Sequence, residues 1–180
     1  RLDGVTGVQT CALPISEAKE IFAQLKKSLG KVPNTYATMA HSPTTLKAIL
    51  ALGVALKKGV LSSKEIEAIS LAVGQENNCD YCLAAHTLMG KGAGWTEEET
   101  IAIRRAKPAD KKIKVLTDLA REIVRTKGLP PQKSIDDFFA AGYNQAALVE
   151  LIAWVAYNIF TNYFNHIAET EIDFPAAKAI

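Results

Sequence analysis

Apolar residues recur along this chain at helical spacing, and polar punctuation cuts the pattern into segments. Ile21, Phe22, Leu25 and Leu29 share one face of a helix that Ser16 opens and Gly30 closes. Pro33 opens a short segment to His41, and Ser42-Pro43 starts another that runs to Lys58 ahead of Gly59. Ser62 or Ser63, followed by the acids Glu65 and Glu67, begins a helix through about Gln75. A helix over about 80–91 ends in the cluster Gly90, Gly92 and Gly94. Thr96-Glu97-Glu98-Glu99 is a capping box for a short helix to about Ala106. Asp110 to Thr126 is amphipathic and stops at Gly128-Leu129-Pro130-Pro131. Ser134-Ile135-Asp136-Asp137 opens a short helix to Ala141, and Asn144 caps the longest, reaching about Glu169. No segment alternates as a strand would. The pattern predicts an all-α bundle of eight or nine helices forming one domain over residues 16–180.

The first fifteen residues break the pattern. Arg1 to Ile15 has no helical period, and Val5 to Ile15 (VTGVQTCALPI) resembles the conceptual translation of a widely used short-read sequencing adapter. Residues 1–15 are expected to be a non-native leader, with the native sequence starting near Ser16. Cys11 is therefore given no role.

Composition narrows the function. A chain of 180 residues with 48% hydrophobic content can bury one sizeable core. The formal net charge is +2, and no basic block runs along the chain, so nucleic acid is not an expected partner. The most apolar stretch, Ala146 to Phe160, is interrupted by Glu150 and Asn158 and falls short of the roughly 18 residues of a membrane span.

The run Glu76-Asn77-Asn78-Cys79-Asp80-Tyr81-Cys82-Leu83-Ala84-Ala85-His86 carries the chemistry. With 80–91 helical, Cys79 and Cys82 stand one turn apart at a helix start, which suits a disulfide whose Cα atoms need to be about 4.4–6.8 Å apart. His86 follows Cys82 by four residues and Cys79 by seven, so the three share a face. Helix N-terminal amides favour negative sulfur there. His86 can take the Cys82 proton or stay charged beside it, and Glu67 or Glu76 would orient the imidazole. Two readings fit these residues. One is a redox dithiol with a base beside it. The other is a zinc site built from Cys79, Cys82, His86 and Glu76, although no second ligand knuckle is present. A lone C-x-x-C points to a reducing, cytoplasmic compartment in which the pair cycles.

The same run resembles the E-x-x-C-x-x-C-x-x-x-H signature of the alkylhydroperoxidase D-like branch of the carboxymuconolactone decarboxylase superfamily. Similarity extends to Val32-Pro33-Asn34 with Ser42-Pro43, to Leu61 through Glu67, to Asn165-His166-Ile167-Ala168 and to Asp173-Phe174-Pro175, covering about residues 30–175. The resemblance implies an all-helical fold, a homo-oligomer (trimer or hexamer) and thiol-based peroxide or disulfide chemistry; no bound cofactor or metal is expected. It also implies a relay role for Glu67, because alkylhydroperoxidase D has a relay glutamate twelve residues before its first cysteine. Where that enzyme has a histidine between the cysteines, this chain has Tyr81, a candidate pocket residue that would cover the thiols. His166, beside Tyr163 and Phe164, is the other pocket candidate.

The expected activity is reduction of small organic hydroperoxides by a Cys79/Cys82 dithiol–disulfide cycle, with His86 and Glu67 or Glu76 as proton relay. Cys82 is expected to attack first, because His86 is its i+4 neighbour. A dithiol donor such as a lipoyl or thioredoxin-type protein would restore the pair. Two alternatives stand beside it: a disulfide oxidoreductase with a non-peroxide oxidant, and a non-enzymatic zinc-binding oligomeric module.

Overall fold

The computed structural model describes residues 16–180, and the expected leader over 1–15, with Cys11, lies outside the described residues. The helices are α1 (Ser16–Leu29), α2 (Asn34–Met39), α3 (Pro43–Leu56), α4 (Ser63–Glu76), α5 (Asp80–Gly92), α6 (Glu97–Arg104), α7 (Lys111–Arg125), α8 (Gln132–Ala140) and α9 (Gln145–Ile167). No strand occurs among the described residues, and the fold is all-α as the spacing predicts.

The helix starts follow the local chemistry. Ser42, Asp110 and Asn144 each accept a backbone N–H of the first turn with their side chains. Ser62 and Glu65 form a reciprocal capping box at α4, as do Thr96 and Glu99 at α6. One helix start differs from expectation. The α8 helix begins at Gln132, two residues before Ser134, with Pro131 at the cap position and no side-chain cap. Pro131 carries φ −57°, the angle its ring imposes, so the proline starts the helix and no hydroxyl is needed.

Helix α4 is the axis of the bundle. It packs against α5, α6, α7 and α9, and every residue from Ile66 to Gly74 is buried. Burial on every side marks a core helix, whereas a surface helix buries one stripe. Glu67 and Ser70 are the polar residues within this buried stretch. Ile69, Leu71 and Val73 meet Ile103, Leu116, Leu119, Phe138, Leu151 and Val155 in the main cluster. Each such side chain contributes about 1.5–3 kcal/mol by leaving water. A second cluster joins α1, α2 and α3 through Ile21, Leu25, Met39 and Leu46. After α9 the chain continues without regular structure and returns across the start of α5, where Phe174 packs on a third, small cluster of Cys79, Tyr81 and Cys82. No helix among the described residues is long and apolar enough to cross a membrane.

Candidate active site

The junction between α4 and α5 places the thiols. Asn77 caps α4, Asn78 turns the chain at φ 55°, and Cys79 N–H donates back to the Gly74 carbonyl at 2.9 Å. That is a Schellman closure, in which a left-handed residue lets the carbonyls of a helix end be satisfied. It leaves Cys79 at the N-cap of the next helix with Cys82 inside the first turn. The two are joined as a disulfide with Cα atoms 5.3 Å apart, well within the range a bridge requires. The Cys82 N–H donates to Cys79 Sγ at 3.4 Å, so this sulfur occupies the place of a capping oxygen.

His86 lies one turn beyond Cys82, and its Nδ1 meets Glu67 Oε2 of α4 at 2.7 Å. Both side chains are largely buried, with 16% and 10% of their surface exposed. A carboxylate in this position fixes the ring orientation and favours the proton on Nδ1, which leaves Nε2 to exchange protons. Where α4 and α5 meet, Gly90 faces Glu67 and Gly74 faces Cys82. Tyr36, hydrogen-bonded to Tyr157, is also near: burial holds its phenol above the usual range, and the Glu67 charge adds to the effect.

Glu76 is not brought to His86. Its carboxylate accepts Arg125 Nε and Nη2 at 2.6 and 2.8 Å and stands 3.7 Å from Arg121 Nη1. The reason is register: Glu76 ends α4 three residues before the N-cap of α5, on the side that packs against α7. The proposed zinc ligands are therefore not gathered, and among the described residues no three His, Cys, Asp or Glu side chains are grouped as a metal site would need.

Tyr81 packs in one cluster with both cysteines, while its hydroxyl turns to the returning tail. Its hydroxyl donates to Asp173 Oδ1 at 2.8 Å and accepts Thr35 N–H at 3.2 Å, while Phe174 meets its ring edge-on at 5.6 Å. Burial, chiefly, and the Asp173 carboxylate hold this phenol protonated. His166 is exposed, stacks loosely on Tyr163 and lines a cleft of about 280 Å³ with Asn78, Cys79, Tyr81, Asn165 and Glu169.

One contact has no counterpart in the motif reading. Asn165 Nδ2 of α9 donates to Cys82 Sγ at 3.4 Å. Asn158, Asn162 and Asn165 fall at i, i+4 and i+7, on the buried face of a helix that is otherwise apolar there. Three buried amides in register on a core face were a legible signal, since such groups need partners. Asn162 takes Asn77 Nδ2 at 2.8 Å and Asn158 donates to Ser70, so the ladder runs from the core to the sulfur.

Residues 43–131, from the first residue of α3 to the cap of α8, match the carboxymuconolactone decarboxylase family. The chain belongs to that family. Its AhpD-like fold is shared with solved structures of low identity, for which the likeness is one of fold. An uncharacterized peroxidase-related protein from Silicibacter sp. TM1040 gives a TM-score of 0.79 at 23% identity over 87% of this chain and 85% of that one. The alkylhydroperoxidase AhpD core of an uncharacterized peroxidase-related protein from Ralstonia eutropha JMP134 gives 0.82 at 20% identity, covering 90% and 87%. A variant of the debrominase Bmp8 in complex with 2,3,4-tribromopyrrole gives 0.77 at 16% identity, covering 92% and 93%. An uncharacterized protein of Haemophilus influenzae is 39% identical over 69 residues, which are 38% of this chain; the chain spans 56% of that relative's length. The C-x-x-C, Glu67 and His86 of this carboxymuconolactone decarboxylase family member all lie inside the matched segment, whereas Asn165 and Asp173 lie outside it.

Proposed function

We propose that this family member is a thiol-dependent peroxidase that reduces small organic hydroperoxides. The observation that carries the reading is the buried His86–Glu67 pair, one turn past a dithiol closed at a helix start. The fold shared with two peroxidase-related proteins supports it. His86 Nε2 takes the Cys82 proton, and the Cys82 thiolate attacks the distal oxygen of R–OOH. The O–O bond breaks, the departing alkoxide takes the proton from His86, and Cys82 becomes a sulfenic acid. Cys79 then attacks Cys82 Sγ, releasing water and closing the disulfide. An external dithiol, lipoyl or thioredoxin-type, reopens it and is itself oxidised, so no bound cofactor is required.

The setting is part of the proposal. A cycling C-x-x-C suits a reducing compartment such as the cytoplasm. A homo-oligomer is supported by α9, whose outer face carries Val149, Ile152, Phe160, Tyr163 and Ile167 exposed in one stripe. Such contiguous apolar surface marks an interaction site.

The test is the intact mass of the chain, reduced, before and after one equivalent of tert-butyl hydroperoxide. Rapid loss of two hydrogens, mapped to Cys79–Cys82, supports the peroxidase. A second reading keeps the dithiol and changes the oxidant. It is favoured by Tyr81, whose hydroxyl is engaged by Asp173 and so offers no relay proton between the cysteines. Thiols unchanged by peroxide but closed by a small disulfide would move the assignment there.

A further inference from the structure

The two sulfurs of the bridge have different surroundings. Cys79 lines the cleft of about 280 Å³ formed with Asn78, Tyr81, Asn165, His166 and Glu169, and Cys82 does not. Cys82, 3% exposed, lies outside that lining, with Asn165 Nδ2 at its sulfur and His86 one turn further along α5. Thiol–disulfide exchange proceeds by attack along the S–S axis, and its direction is set by which sulfur is reachable and which leaves better. Cys79 is only 1% exposed, so a thiol must reach it from inside the cleft. That opening suits a thiol on a slender chain, either a free small thiol or the dithiol of a flexible arm.

We propose that the cleft is the entry site for the reducing thiol, that the thiol attacks Cys79, and that Asn165 stabilises Cys82 as the leaving thiolate. The inference rests on the dithiol–disulfide cycle proposed above and not on the oxidant that closes the bridge. The incoming R–S⁻ bonds to Cys79 Sγ, the Cys79–Cys82 bond breaks, and its electron pair stays on Cys82 Sγ. A second thiolate then attacks the sulfur of R, freeing Cys79 as thiolate and leaving the donor as a disulfide. The protons lost by the two donor thiols are taken up by the two cysteines.

Asn165 fits this role because little else in the fold uses it. The side chain is buried, its Oδ1 has no partner among the described residues, and its side-chain donor contact is with Cys82. A buried amide left half-satisfied is costly unless something calls for it. A leaving thiolate does, since a hydrogen bond to a charged acceptor is about twice as strong as one to a neutral acceptor.

The test treats the oxidised full chain with excess β-mercaptoethanol, quenches with acid during the first exchange, alkylates, and maps the peptides. Expected is the β-mercaptoethanol adduct on Cys79 and the alkyl group on Cys82, in roughly tenfold excess over the reverse. The reverse pattern, or an even split, would overturn the inference. This measurement needs no variant. In Asn165→Ala, the first exchange should slow roughly tenfold, and the pH midpoint of Cys82 alkylation should rise. An unchanged midpoint would overturn the role of Asn165, because a purely structural amide would leave the thiol's acidity alone. Failure of the peroxidase reading looks different: inertness to peroxide with the adduct still on Cys79 removes that reading and leaves this one. Peroxide turnover with the adduct on Cys82 does the opposite.

Discussion

Nδ1 of His86 and Oε2 of Glu67 lie 2.7 Å apart and tie α5 to α4 one turn beyond the buried Cys82. An imidazole so held keeps one tautomer, and losing its partner should affect proton transfer more than packing. Glu67→Gln is expected to lower peroxide turnover by about 10²-fold, and His86→Ala by about 10²–10⁴-fold, the usual span for a general base. The check is turnover together with the pH profile of thiol alkylation. A profile that does not move to higher pH in His86→Ala would remove His86 from the relay.

The order of the two sulfurs is open to trapping. Cys82→Ser should abolish turnover outright, whereas Cys79→Ser should stop at the sulfenic acid and accumulate a dimedone adduct on Cys82. Recovery of the adduct on Cys79 in the Cys82→Ser protein would reverse the assignment.

Glu76 is expected to act on stability alone. Glu76→Gln leaves Arg121, 4% exposed, without its carboxylate, while the exposed Arg125 loses a pair of small value. The expected loss is about 1–2 kcal/mol, read as a fall in Tm, with activity per folded molecule unchanged. A shifted alkylation profile in this variant would return Glu76 to the relay.

Asn78 turns the chain at φ 55°, in the left-handed region where a short polar side chain is tolerated and most are not. Asn78→Gly should be close to neutral, whereas Asn78→Ala should cost about 1 kcal/mol by denaturant unfolding. Equal stability of the two variants would mean that the turn relaxes.

Stability toward acid has a contributor at the start of α4. Burial alone would raise the Glu65 carboxyl, but hydrogen bonds from the Ser62 hydroxyl and backbone and from Tyr143 outweigh it, and the net shift is downward. A depressed carboxyl contributes stability above its unfolded pKa of about 4.3, and that contribution is lost as pH falls through the lower folded value. Tyr143→Phe should therefore lower Tm most near neutrality, and its gap from the parent should narrow below about pH 4. A gap independent of pH would assign Tyr143 to packing alone.

Much of this was legible in the sequence, because caps and helical periodicity are local. Ser62, Thr96, Asp110 and Asn144 each start a helix where their side chains can accept a first-turn amide, and the C-x-x-C falls at a helix start as its spacing predicts. What stayed hidden depends on rotation and distance. Glu67 and Glu76 are both acids on α4 within reach of the motif by count, yet nine residues of helix turn one to α5 and the other to α7. Asn165 and Asp173 meet the motif across 83 and 92 residues, and no local pattern reports such contacts.

Asp173 binds three parts of the chain at once. Its Oδ2 accepts Lys31 Nζ at 2.8 Å and Asn34 N–H at 3.3 Å, and its Oδ1 accepts Tyr81 OH. Groups that share one partner do not contribute independently, so substitutions at Lys31, Asn34 and Tyr81 should show thermodynamic coupling in double-mutant cycles. The link between α1 and α2, with no residue in the chemistry, thereby belongs to the same energetic unit as the helix that carries the sulfurs. Sequence drift there would be felt at the dithiol.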